Sequence, residues 1–102
     1  MNTTTAWAAG LFEGEGCMYQ TPQGYHYIQL KMTDKDVVEK FRDWLGHGNI
    51  NTEQPKGGKK LAYVIKVGKR DVVRRAVSAM LPYFGNRRAY KALNILDDLE
   101  CT

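Results

Sequence analysis

Ala8-Ala9-Gly10-Leu11-Phe12-Glu13-Gly14-Glu15-Gly16 is the stretch on which the reading of this 102-residue chain turns. Small side chains sit one helical turn from a pair of carboxylates, and two glycines flank the second carboxylate. Thr3, Thr4 or Thr5 can cap a helix that runs through Glu13. A glycine inside a helix costs roughly 0.5–1 kcal/mol, a cost that makes sense where another backbone comes close. Ala6, Ala9, Gly10 and Glu13 make a low-relief strip, while Trp7, Leu11, Ala8 and Phe12 share adjoining faces. Gly14 and Gly16 are expected to end the helix and leave Glu15 just beyond it, held by backbone rather than by a bulky neighbour.

Downstream, residues 17–21 and 25–32 read as two strands joined at Pro22-Gln23-Gly24. The second alternates, with His26, Ile28, Leu30 and Met32 on one face and Tyr25, Tyr27, Gln29 and Lys31 on the other. Thr33 is expected to cap a second helix, with Asp34 and Asp36 in its first turn, where the dipole favours acids. Val37, Val38, Phe41, Trp44 and Leu45 form its apolar stripe and Gly46 stops it.

A second hairpin spans 48–53 and 60–67, with Leu61, Tyr63, Ile65 and Val67 toward the core. Asn49, Asn51, Glu53, Lys60 and Lys66 face the other way. Lys56, Gly57, Gly58, Lys59 and Lys60 make a basic tip that lacks the spacing of a nucleotide-binding phosphate loop. A third helix over 69–80 buries Val72, Val73, Ala76, Val77 and Met80, and Pro82 prevents simple continuation. Asn86 caps a last helix in which Tyr90, Leu93, Leu96 and Leu99, with Ile95, form the expected apolar side. Asn94, Asp97 and Asp98 are expected to face solvent. The pattern predicts an α+β fold: a twisted four-stranded antiparallel sheet with helices on one face and the other face open.

A domain of about 100 residues buries only a little over roughly 60% of its extended-chain surface, so a partner that extends the core would help. Ala6–Phe12 is too short for a membrane span, and nothing resembles a signal peptide. Cys17 and Cys101 have neither metal-ligand nor disulfide-framework spacing. They read as free thiols of a reducing compartment: a bacterial or phage-infected cytoplasm, or an organelle. The net charge is +4, but its distribution is uneven. Between Gln54 and Lys91 lie eleven Lys or Arg residues and one acid, Asp71, whereas residues 1–53 carry four bases against seven acids. Such an asymmetric field suits a polyanion. A sheet face of Tyr, Gln, Asn and Lys is well matched to base edges and phosphates. A solvated basic surface with no partner is the plain alternative.

Residues 8–16, followed at once by a hairpin, resemble the signature of the LAGLIDADG homing endonucleases. Lys31-Met-Thr-Asp-Lys-Asp and Met80-Leu-Pro-Tyr-Phe resemble later landmarks of that family. The resemblance covers most of the chain and implies the order αββαββα with a further short C-terminal helix, as one domain over 1–102. The second acid of the signature is usually aspartate, and Glu15 stands in its place. One copy of the signature implies a homodimer, with a motif helix over about 4–13 at the interface and Trp7, Ala9, Gly10 and Glu13 in contact there.

By the same resemblance, Glu15 binds Mg²⁺, for which Mn²⁺ substitutes, beside double-stranded DNA. Asp34 lies near the scissile phosphate and helps organise water. The family's usual lysine falls close to Ala89, which makes Arg88 or Arg87 the expected cationic partner. DNA contact is expected from Tyr19, Thr21, Tyr25, Tyr27, Gln29, Lys31, Asn49, Asn51, Glu53, Lys60 and Lys66. No small organic cofactor and no membrane are implied. The activity so implied is a staggered double-strand cut in a long pseudo-palindromic site, as in intron homing. Two other classes fit the residues: a non-cleaving nucleic-acid-binding relative, such as a maturase or regulator, and a small structural dimer whose basic half binds nothing specific.

Overall fold

The computed structural model describes residues 3–54, 57 and 60–100. The element order is α1 (Thr3–Glu15), β1 (Gly16–Gln20), β2 (His26–Met32), α2 (Lys35–Leu45), β3 (Ile50–Glu53), β4 (Ala62–Val67), α3 (Arg70–Met80), a 3₁₀ turn at Leu81–Tyr83, and α4 (Asn86–Glu100). This is the expected αββαββα order with one more helix. That helix is not short: its fifteen residues exceed the thirteen of α1. Cys101 and, in the basic tip, Lys56, Gly58 and Lys59 lie outside the described residues.

The four strands pair antiparallel in the order β1-β2-β4-β3. Because directly opposed residues share a face, the register writes out both sides of the sheet. Met18 opposes Ile28, Ile28 opposes Val67, and Ile65 lies between Leu30 and Ile50. These residues face the helices, and all but the half-buried Ile50 are buried. On the other face Cys17 opposes Gln29 and Gln29 opposes Lys66, while Val64 lies between Lys31 and Asn51.

Each helix docks through the stripe its sequence supplies. From α2 come Val38, Phe41 and Leu45, and from α3 all five expected residues, Val72, Val73, Ala76, Val77 and Met80. Gly46 ends α2 in the left-handed region, φ 72° and ψ 15°, and donates to the Arg42 carbonyl at 2.8 Å. Arg75 closes the same end from α3 through a 2.7 Å bond to the Leu45 carbonyl. From α1, Ala8, Ala9 and Phe12 are fully buried, and Phe12 lies between Phe41 and Phe84 at centroid distances of 6.0 and 6.2 Å.

Several local expectations are corrected. The first helix continues through Gly14 to Glu15, so Glu15 is its last residue rather than the first beyond it. The N-cap of α2 is Asp34, not Thr33, and its side chain makes no capping hydrogen bond. In α4 the buried residues are Ala92, Ile95 and Leu99; Tyr90 and Leu93 are exposed. An every-third-residue pattern drifts around a helix of 3.6 residues per turn, and the face that packs follows the alanine. Asp98 is not simply solvated, because its carboxylate meets the buried His26 at 2.6 Å and ties α4 to β2.

Candidate nucleic-acid interface

The open face of the sheet carries most of the residues expected to touch DNA. Tyr19 and Tyr27 oppose each other and stack at 5.6 Å. Lys66 holds its ammonium 4.5 Å from the centre of the Tyr27 ring and 5.6 Å from that of Tyr19. The Tyr19 side chain, first by hydrogen bonding and then by its charge, raises the Lys66 pKa above the ordinary 10.5; a small desolvation opposes it and Tyr27 adds to it. Gly68 is what lets Tyr27 lie flat: a Cβ there would come within 2.2 Å of the ring. Gln29 stands beside Lys66 in register, so an amide and an ammonium share the centre of the face.

Toward the β3 edge, Lys31 and Glu53 are joined by a 2.9 Å ion pair, both about half exposed. Asn51 lies exposed in register with Val64. Asn49 and Lys60 are exposed but sit outside the strands, since β3 begins at Ile50 and β4 at Ala62. Thr21 is half-buried and belongs to the turn, where its hydroxyl accepts from the Tyr25 amide at 3.1 Å. Tyr25 itself is 64% exposed.

At the other end of the first hairpin, the start of β1 and the end of β2 come together, since Gly16 pairs with Leu30. That topology brings Glu15, just before β1, and Asp34, two residues past β2, to one end of the sheet. Both are exposed, and neither makes an ion pair or side-chain hydrogen bond among the described residues. Glu15 also stands at the negative end of a helix, with no basic residue in its last turn. A free hard-oxygen donor in a negative local field suits Mg²⁺, which takes one or two carboxylates and completes its shell with water and phosphate. One chain offers no group of three or more metal-ligating side chains among the described residues.

A shallow pocket of about 140 Å³ adjoins this end, lined by Gly16, Cys17, Met18, Arg87, Arg88 and Lys91. Arg88 is committed to its own chain: it is 16% exposed, pairs with the Glu13 carboxylate, and donates to the Glu13 and Gly16 carbonyls. Arg87 and Lys91 are exposed. Lys91 is the residue that sequence reasoning missed; its spacing of four from Arg87 puts both on one side of α4.

The expected interface strip also shifts. Ala9 is fully buried in the chain's own core and Glu13 bonds to Arg88 and, at 2.9 Å, to the Gly85 amide. The accessible strip of α1 is Trp7, Gly10, Leu11 and Gly14, with Trp7 and Leu11 half-buried. A Cβ built on Gly10 or Gly14 would meet nothing within 4 Å.

Residues 2–77 match the family model of the LAGLIDADG-like domain. No curated protein matches the chain by sequence. Among solved structures it resembles the homing endonuclease I-CvuI in complex with the I-CreI target (TM-score 0.76, 16% identity, 96% of this chain and 66% of that one). It also resembles the homing endonuclease I-TnaI (TM-score 0.73, 17% identity, 98% and 74%). A third match is the LAGLIDADG homing endonuclease I-GzeII in complex with its DNA target (TM-score 0.71, 20% identity, 92% and 34%). The chain thus spans about two thirds of the I-CvuI chain and about a third of the I-GzeII chain.

Proposed function

The chain belongs to the LAGLIDADG family, and on that premise we propose that it is a site-specific DNA endonuclease that works as a homodimer. The observation that carries the reading is the position of Glu15. It is a carboxylate unpaired among the described residues, at the end of a helix whose exposed side is stripped of side chains at Gly10 and Gly14. Two such helices meeting along that strip bring two Glu15 carboxylates toward one stretch of duplex, which one copy cannot do.

Mg²⁺ held by these carboxylates would stabilise charge on the phosphate and on the departing 3′ oxygen. The chain's own groups do the rest. Arg87 and Lys91 neutralise backbone phosphates beside β1, and Asp34 orients water near the reacting phosphate. Tyr19, Tyr27, Gln29, Lys66, Lys31 and Asn51 lie along the groove, where amide and ammonium groups discriminate base edges. A two-fold dimer reads matching half-sites one helical turn apart, so the target is a pseudo-palindrome of about 20 base pairs, cut in a staggered fashion.

The test is selection of bound and cleaved duplexes from a randomised library with Mg²⁺ or Mn²⁺. Cleaved, roughly palindromic sites are expected, with cutting lost and binding kept in Glu15→Gln. A second reading, a non-cleaving nucleic-acid-binding relative, is favoured by the internal commitment of Arg88. Selected binding without any cutting under either metal would establish it in place of the first.

A further inference from the structure

Glu15 stands at the junction where α1 ends and β1 begins. Glycines flank it, and they differ: nothing lies within 4 Å of a Cβ on Gly14, whereas Gly16 packs against Phe12, and the Glu15 carboxylate makes no ion pair or hydrogen bond among the described residues. It also closes a helix in an unfavourable way. Two acids, Glu13 and Glu15, sit in the last turn of α1, where the dipole disfavours negative charge, and the helix has no base there. The final carbonyls of any helix further lack intrahelical donors. Something outside α1 must answer both deficits.

Arg88 of α4 does so with one side chain. Its NH2 nitrogen donates to the Glu13 carbonyl at 3.0 Å and its NH1 nitrogen to the Gly16 carbonyl at 3.2 Å. Its Nε lies 3.0 Å from Glu13 Oε2, with the N–H turned off that line, so this contact is a charge pairing rather than a hydrogen bond. Gly85, just before α4, donates to the other Glu13 oxygen at 2.9 Å. The guanidinium rests 5.6 Å from the centre of the Phe12 ring, the ring that also packs against Gly16. The two carbonyls it grips lie on either side of Glu15.

We propose that Arg88 is a positioning residue for Glu15: the guanidinium bridges the chain across that carboxylate and holds α1, the β1 entry and α4 in one arrangement. Its side chain is only 16% exposed and is turned toward carbonyls of its own chain, which leaves the exposed Arg87 as the phosphate ligand of this end. A planar fork can span two carbonyls in this way and an ammonium cannot. The metal-binding part of this inference rests on the endonuclease reading; the clamp itself does not.

The experiment has two arms. In the first, amide hydrogen exchange is followed on the free protein, without DNA or metal. Arg88→Met should speed exchange at residues 14–18 by about tenfold or more, the loss of one to two charge-assisted hydrogen bonds, while the α3 core amides stay protected. If Arg88→Met does not fold, Arg88→Lys should fold and show the same local acceleration. Glu13→Gln keeps an acceptor for Gly85 and both carbonyl bonds and removes the charge pairing alone, so its exchange at 14–18 should rise less than that of Arg88→Met. Unchanged exchange at 14–18 in the arginine variants overturns the proposal.

In the second arm, Mn²⁺ binding is measured by electron paramagnetic resonance on the protein bound to a phosphorothioate duplex that resists cleavage. Loss of the clamp should weaken Mn²⁺ by about tenfold with metal-free DNA affinity unchanged, whereas Arg87→Met should weaken DNA and spare Mn²⁺. A fall in metal-free DNA affinity for Arg88→Met, with Mn²⁺ affinity intact, would make Arg88 a phosphate ligand and also overturn the proposal. If the parent protein binds neither DNA nor Mn²⁺, the endonuclease reading fails, and the exchange arm alone decides the clamp.

Discussion

Glu15 and Lys66 carry opposite duties, and each has a sharp expectation. Glu15→Gln removes a hard anionic donor without changing shape, so cleavage should fall to background while duplex binding in a mobility-shift assay persists. Retained cleavage would remove Glu15 from the metal site. Lys66 is an exposed ammonium whose pKa is raised above 10.5 by Tyr19. A raised folded-state value means that its contribution is complete below 10.5 and fades only as pH climbs through the higher folded value. Binding measured between pH 7 and 9.5 should therefore show no loss from Lys66, and Lys66→Met should weaken it equally across that range. The exposed place of each was legible in the sequence, Glu15 from the glycines that flank it and Lys66 from strand alternation. The commitment of Arg88 was not, because it depends on a contact between residues about seventy positions apart, and no local pattern encodes which of two adjacent arginines turns inward.

At the level of elements, α1 has one side in the core and one side open at Gly10 and Gly14. Gly10 and Gly14 meet nothing in their own chain, so Gly10→Leu or Gly14→Leu should leave the monomer's melting temperature intact or raise it, since glycine in a helix costs roughly 0.5–1 kcal/mol. The same variants should sediment as monomers where the parent, with DNA, sediments as a dimer; dimers persisting in both would refute the proposed strip. Gly16→Ala is the contrasting case. Its Cβ would fall 2.3 Å from the Phe12 ring, and such overpacking costs about 1–3 kcal/mol, read as a drop in the urea midpoint. Strand alternation gave both faces of β2 correctly because the period of two is strict. That Ala9 turns into the core while Gly10 stays exposed is not legible from residue type, because alanine and glycine carry little hydrophobic signal. In α4 the large residues Tyr90 and Leu93 suggested the wrong face for a related reason: Ala92 packs where space is short.

Across the whole molecule, the basic stretch from Lys56 to Lys91 supplies β4, α3 and the start of α4, while the acids gather earlier and at the C-terminal end. Binding to duplex should therefore weaken steeply with salt, each phosphate contact adding about 0.9 to the slope of log K against log salt. A combined Arg87→Met and Lys91→Met variant should lower that slope by nearly two contacts. An unaltered slope would place both cations off the duplex. The His26–Asp98 pair acts over a similar span by holding the last helix to the sheet. Asp98→Ala should destabilise by about 1 kcal/mol and loosen α4. The layered architecture was readable from element order, but strand order was not: β4 lies inside β3, and it is the pairing of β2 with β4, from Ile28–Val67 to Met32–Tyr63, that reveals the adjacency.

The missing side chain at position 68 bears on how such a protein acquires a new target. Tyr27 can occupy its place only while that neighbour stays bare, so position 68 can gain a side chain only once the tyrosine ring has gone. Positions 31 and 53 are tied to each other only through an ion pair at the half-exposed border of the sheet, a looser constraint than a steric one. Drift in recognition should begin along that border and reach the tyrosines last.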